Sequence, residues 1–140
     1  MSSSTTIALE RTLDAYLKAW ECYDAKAMIS TFSDDVVQRT LPLSLQTPAR
    51  SRAEIEYILP EIEQILQIEE RIADPTSRRA SFRALSTADT PLGPWNNEYA
   101  VFFEFDETCE KLTRVDEIMD SNFVKDFFPK FKQHMAEKRK

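Results

Sequence analysis

Three residues give this chain its best means of doing chemistry: Glu117, Arg39 and Tyr99. Each interrupts a run that otherwise reads as an apolar strand, where a buried charge is costly unless something pairs with it or uses it. Alternation puts Glu117 on one strand face with Val115 and Met119, and Arg114 and Asp116 on the other. If the Glu117 face lines a cavity, loss of water raises the carboxyl pKa toward the range useful for proton transfer. The alternative is an ion pair with Arg39 or Arg83. Arg39 shares its face with Val37 and Leu41, so it is expected to point inward, where a guanidinium could hold a developing oxyanion; it could equally be a structural partner of Glu117 or Asp35. Tyr99 alternates with Val101 and Phe103, and its phenol could donate a hydrogen bond or a proton, or be a core tyrosine with a satisfied hydroxyl.

Trp20, Tyr23, Tyr57, Trp95, Phe103 and Met119 are the expected substrate-binding walls, with ordinary core packing the competing reading for each. Asp24, Asp34 and Asp35 could form an acidic pair, but helix-end and turn roles explain them more simply. His134 sits in a polar tail and is expected to be solvated.

The elements that must position these groups follow from the periodicity. Leu9, Leu13, Tyr16, Leu17 and Trp20 form one apolar face of a helix from about Thr5 to Tyr23, and a shorter helix covers Ala25 to Thr31. Val36 to Leu41 reads as a strand ended by Pro42, with Val37 and Arg39 on one face and Val36, Gln38 and Thr40 on the other. Pro48-Ala49-Arg50 is a connector, and Ser51-Arg52-Ala53-Glu54 is a capping box opening a third helix that Pro60 must kink or divide. Gln67 to Ala73, Arg79 to Thr87, Glu98 to Phe105 and Lys111 to Met119 are strand-like, the last three as a meander. Thr90 to Pro94 is expected to be a rigid loop, and Asp106-Glu107-Thr108 a hairpin connection. A final helix from near Ser121 carries Phe123, Phe127, Phe128 and Phe131, interrupted by Pro129. Helices, then a mostly antiparallel sheet, then a closing helix make an α+β arrangement, and a sheet curled around helices leaves an apolar cone suited to a small molecule.

Composition narrows the chemistry. The 140 residues have room for one domain, expected to span 1–140. Net charge is −6, which disfavours nucleic acid despite the short basic end Lys138-Arg139-Lys140. Gly93 is the sole glycine, so loops that cradle phosphates through several glycines are excluded. One histidine and two cysteines, Cys22 and Cys109, are too few for a His- or Cys-based zinc site, and the cysteines read as core residues or free thiols. The start Met1-Ser-Ser-Ser-Thr-Thr lacks the character of a secretory signal, and no apolar run is long enough to span a membrane, so the expected location is cytoplasmic.

The run Leu13 to Asp35, with Trp20, Asp24, Met28, Phe32 and Asp34-Asp35, resembles the opening of the SnoaL-like branch of the nuclear transport factor 2-like superfamily. The segments Thr90 to Tyr99 and Lys111 to Ser121, closed by Phe127-Phe128-Pro129-Lys130, resemble its small fungal members. The resemblance covers residues 9 to 135 and implies a conical α+β barrel, usually a homodimer through the sheet, with a pocket between sheet and helices. It also implies fungal natural-product chemistry: cofactor-free isomerases, semipinacolases among them, that rearrange meroterpenoids, polyketides or indole alkaloids. Dehydratases of this fold use cavity histidines, which this chain does not supply. The expected activity is a cofactor-independent isomerase or cyclase acting on a hydrophobic polycyclic substrate, with Glu117 as general acid or base, Arg39 as oxygen anchor and Tyr99 as donor or relay. A dehydratase or aldol-type cyclase, and a non-catalytic ligand carrier or dimeric interaction module, are the alternatives.

Overall fold

The computed structural model describes residues 3–140; Met1 and Ser2, part of the start read for a secretory signal, lie outside the described residues. Helix α1 spans Ser3–Glu21 and α2 spans Ala25–Ser30. They are followed by strand β1 (Phe32–Leu41), helix α3 (Arg52–Ile58) and a 3-10 turn (Leu59–Glu61). Strands β2 (Ile65–Asp74), β3 (Arg79–Thr90), β4 (Gly93–Phe105) and β5 (Leu112–Met119) come next, and α4 (Ser121–Lys138) closes the chain.

The helix boundaries have local causes. The Asp24 carboxylate accepts from the Ala27 amide at 3.0 Å and starts α2. Ser51 and Glu54 form the expected capping box of α3. Pro60 falls in the 3-10 turn, which is where α3 gives way. Asp120 caps α4 through the Asn122 amide, and Pro129 is carried inside that helix.

The strands form one mixed sheet in the order β1-β5-β4-β3-β2, leaving β1 and β2 as its edges. β1 runs parallel to β5, while β5, β4, β3 and β2 pair antiparallel in turn, the last three strands in sequence forming the expected meander. The segment Thr90–Pro94 differs from its sequence reading. It is a tight turn in which Thr90 and Gly93 are partners, Gly93 takes a φ of +116°, and Pro94 already belongs to β4 opposite Asp89. Gly93 supplies a backbone geometry that a side chain would resist, so β3 and β4 run on to the turn instead of stopping short.

The inner face of the sheet holds the core. On β4 the buried residues are Trp95, Asn97, Tyr99, Val101, Phe103 and Phe105, with strict alternation. Leu9, Leu13, Tyr16, Leu17 and Trp20 of α1 cover this face, each contributing roughly 1.5–3 kcal/mol by leaving water. Tyr16 meets Phe103 edge-on at 5.0 Å, and Trp20 meets Tyr99 and Phe82 at 5.5 and 5.9 Å. At the other end Trp95 takes Phe123 and Phe127 of α4 edge-on at 5.0 and 4.9 Å, which docks that helix. The last turn of α4 reaches back to the α3 region: Lys138 pairs with Glu61, and the Arg139 guanidinium lies 4.6 Å above the Tyr57 ring.

Candidate active site

A cavity of about 620 Å³, its mouth included, lies between the inner sheet face, α1, the α3 segment and α4. Apolar side chains dominate its wall, among them Trp20, Met28, Ile55, Ile62, Val115 and Met119. The polar groups are Tyr16, Gln38, Arg50, Gln64, Tyr99 and Glu117.

Glu117 reaches the cavity because β5 alternates Val115, Glu117 and Met119 inward, opposite Val101 of β4 and Thr40 of β1. The surrounding protein desolvates its carboxyl and pushes the pKa up to about 7, with the positive charge of Arg50 pulling the other way. A carboxyl poised there is neither fully ionised nor fully protonated near neutrality, which suits a group that must both take and return a proton.

The Tyr99 hydroxyl donates to Gln64 Oε1 at 2.9 Å, and Gln64 is itself buried. Burial and the nearby Glu117 carboxyl hold the Tyr99 phenol well above its usual pKa, so it stays protonated and serves as a donor. Tyr16 is perturbed in the same direction for the same two leading causes. The Trp20 indole N–H is buried without a hydrogen-bond partner.

Arg50 is the cation of the cavity. Its backbone pairs with Gln38 in both directions, at 3.0 and 2.8 Å, so the connector is stitched to the free edge of β1. Nη1 donates to Gln38 Oε1 at 3.2 Å, and the guanidinium lies 5.7 Å from the centre of the Phe128 ring. Burial lowers its pKa, with Glu117 and Glu54 acting against the shift. A guanidinium keeps its charge under any ordinary condition, so this end of the cavity is positive.

Arg39 stands elsewhere. The two faces of β1 separate as the alternation predicts, but the opposite one is turned inward: Val36, Gln38 and Thr40 are buried, while Arg39 lies on the outer side of the sheet. There it makes a two-pronged pair with Asp116, both hydrogen bonds at 2.7 Å. Arg39 and Asp116 are directly in register on neighbouring strands, and the Asp116 carboxylate, which Arg114 also approaches at 3.2 Å, draws the guanidinium outward.

Of the expected walls, Trp20, Trp95 and Met119 line the cavity and three do not. Tyr23 turns its hydroxyl to the Leu59 carbonyl, at 2.5 Å. Tyr57 is exposed beneath Arg139, and Phe103 is sealed in the core against Tyr16 and Phe82. Asp24 is a helix cap, and the thiols of Cys22 and Cys109 are both free. Arg50 was read only as part of a connector, since its place depends on a backbone bridge to Gln38 that no local pattern records.

No family model matches the sequence. Solved structures share the fold along nearly the whole chain. The BvnE pinacolase from Penicillium brevicompactum superposes with a TM-score of 0.78 at 21% identity, covering 98% of this chain and 97% of its own. PrhC from Penicillium brasilianum gives 0.77 at 19% identity, covering 95% and 93%. An open sheet packed on helices around a cavity of this kind is the nuclear transport factor 2-like fold. Among curated proteins, Monooxygenase AacuO of Aspergillus aculeatus is 44% identical over 131 residues, covering 90% of this chain and 82% of the relative. Monooxygenase AgnL5 of Paecilomyces divaricatus is 43% identical over 129 residues, covering 89% and 80%. The chain belongs to the family of these small fungal proteins.

Proposed function

We propose that the protein is a cofactor-independent isomerase of fungal secondary metabolism that moves a proton within a hydrophobic polycyclic substrate. The observation that carries this reading is the meeting of one carboxyl, Glu117, with the phenols Tyr99 and Tyr16 in a cavity that is otherwise largely apolar. Glu117 takes a proton from carbon as carboxylate and returns it elsewhere as acid, while Tyr99, turning its O–H away from Gln64, donates to the substrate oxygen that gains charge. The apolar wall holds the reactive conformer and keeps water from the intermediate. The likeness to a pinacolase supports rearrangement as the outcome.

The protein would act as a cytosolic homodimer joined through the outer sheet face. Phe102, Ile118 and Leu85 are 48%, 41% and 38% exposed there, an apolar patch of the kind that interfaces cover.

A second reading comes from the relatives, whose printed names are monooxygenases: the same carbanion could react with dioxygen in place of being reprotonated. Incubating the protein with metabolites accumulated by a strain lacking its gene separates the possibilities. An isomerase yields a product of unchanged elemental composition, a dehydratase one lacking the elements of water, and an oxygenase one enriched in oxygen. No new metabolite at all would overturn the enzymatic reading.

A further inference from the structure

We propose that Arg50 is an oxyanion receptor, and that the substrate is a ketone or phenol whose ionised, ring-conjugated oxygen binds the guanidinium. The inference deepens the isomerase reading and rests on it.

The pairing of the arginines singles this one out. Arg39, Arg52, Arg71, Arg79, Arg83 and Arg114 all have a carboxylate within ion-pair distance. Among the described residues, Arg11, Arg78 and Arg139 have none, but they are exposed and water satisfies them. Arg50 alone among the described residues is half-buried in the wall of a largely apolar cavity without such a partner. Its one hydrogen bond to protein goes to a neutral amide oxygen of Gln38, which aims the group without balancing its charge. A guanidinium has five N–H donors, so most of this one's capacity is left for a ligand. The double backbone bridge to β1 and the Phe128 ring fix its place before any ligand arrives.

Glu117 does not discharge it. That carboxyl is not within ion-pair distance, and its own desolvation tilts it toward the neutral form. The missing negative charge must therefore come with the ligand. The aromatic walls offered by Trp20, Tyr99 and Trp95 suit a flat conjugated ring better than a compact anion.

The chemistry balances without any further reagent. The Glu117 carboxylate removes a proton from the carbon next to a carbonyl; the C–H electron pair becomes the new C=C bond, and the carbonyl π pair moves onto oxygen, which binds Arg50 as an enolate. Return of the same proton from Glu117 to another carbon of the conjugated system restores a carbonyl and gives the isomer.

Probe compounds test the receptor without knowledge of the natural substrate. 4-Nitrophenol, titrated at a pH where it is ionised, should bind the wild-type protein at least about tenfold more tightly than its neutral methyl ether, 4-nitroanisole. Arg50→Gln should erase that preference while leaving nitroanisole binding in place. Arg50→Lys, which keeps the charge but not the fork, should retain part of it, and serves if the first variant does not fold. Glu117→Gln should leave the preference intact even as it stops turnover, so a failed receptor and a failed isomerase reading give different results. Equal binding of the two probes, no binding of the phenolate, or a preference that survives Arg50→Gln overturns the proposal. Tighter binding of 4-nitrobenzoate than of the phenolate would make the site a carboxylate receptor and overturn it equally.

Discussion

Asp116 and Glu117 are adjacent in sequence yet serve opposite sides of the sheet, Asp116 clamped by Arg39 on the outside and Glu117 turned into the cavity. The period of two along a strand makes this separation possible, and it isolates a structural ion pair from a carboxyl available for proton transfer.

Replacing Glu117 by Gln keeps the shape and removes the titrating group. Turnover should fall by about 10²- to 10⁴-fold, the usual worth of a positioned acid or base, with the circular dichroism spectrum unchanged. Turnover within a factor of a few of wild type would remove Glu117 from the mechanism.

The raised pKa of Glu117 also links stability to pH. An unfolded glutamate titrates near ~4.3, so between there and about 7 the folded state holds the extra proton. Stability from this group is complete below the unfolded value and is lost as pH rises through the folded one, a drop of roughly 1–3 kcal/mol. Urea denaturation at pH 5 and pH 8 should show the decline in wild type and a flatter profile in Glu117→Gln. In the active protein, kcat/KM should rise with pH through the same region if the carboxylate is the form that begins the reaction.

Arg39→Ala should leave turnover unchanged, because its guanidinium lies across the sheet from the cavity. Arg114 remains 3.2 Å from the Asp116 carboxylate, so the loss in stability should be about 1 kcal/mol, read from the denaturation midpoint. Asp116→Ala, which strips a buried carboxylate from two arginines, should cost more, about 3 kcal/mol.

Tyr99→Phe removes the donor to Gln64 and leaves a buried amide oxygen without it. The expected loss is about 1–3 kcal/mol in thermal or chemical denaturation, together with lower kcat, since the phenol also faces the cavity. A double replacement with Gln64→Leu should recover much of the stability but not the rate.

Phe102→Glu tests the outer face. The side chain is nearly half exposed on the middle strand of the sheet, so the substitution disturbs no core packing. It should shift sedimentation from dimer to monomer; a wild-type protein already monomeric at high concentration would refute the homodimer.

Much of this arrangement could be read from the order of residue types, and the misreadings have definite causes. On β5 the apolar neighbours Val115 and Met119 identify the inner face, and Glu117 goes with them. On β1 both faces mix polar and apolar residues, Val37 and Arg39 against Val36, Gln38 and Thr40, so composition alone does not say which side is inward. The parallel pairing of Arg39 with Asp116 decides it, and that contact joins positions 77 residues apart. A separation of 82 residues likewise hides Tyr57, whose ring is claimed by Arg139. Local caps and turns were legible wherever a side chain satisfies the backbone a few residues away, as at Asp24 and Ser51.

The link between the end of α4 and the α3 region bears on how the cavity is held together. Ile55, Ile58, Leu59 and Ile62 form one wall, and the segment carrying them is fastened through Glu61 and Tyr57 to the last turn of a helix. Final helical turns fray before anything else in a fold. The wall is thus moored to a terminal helical turn, so fraying there would shift Ile55, Ile58, Leu59 and Ile62 relative to the strands that present Glu117 and Tyr99.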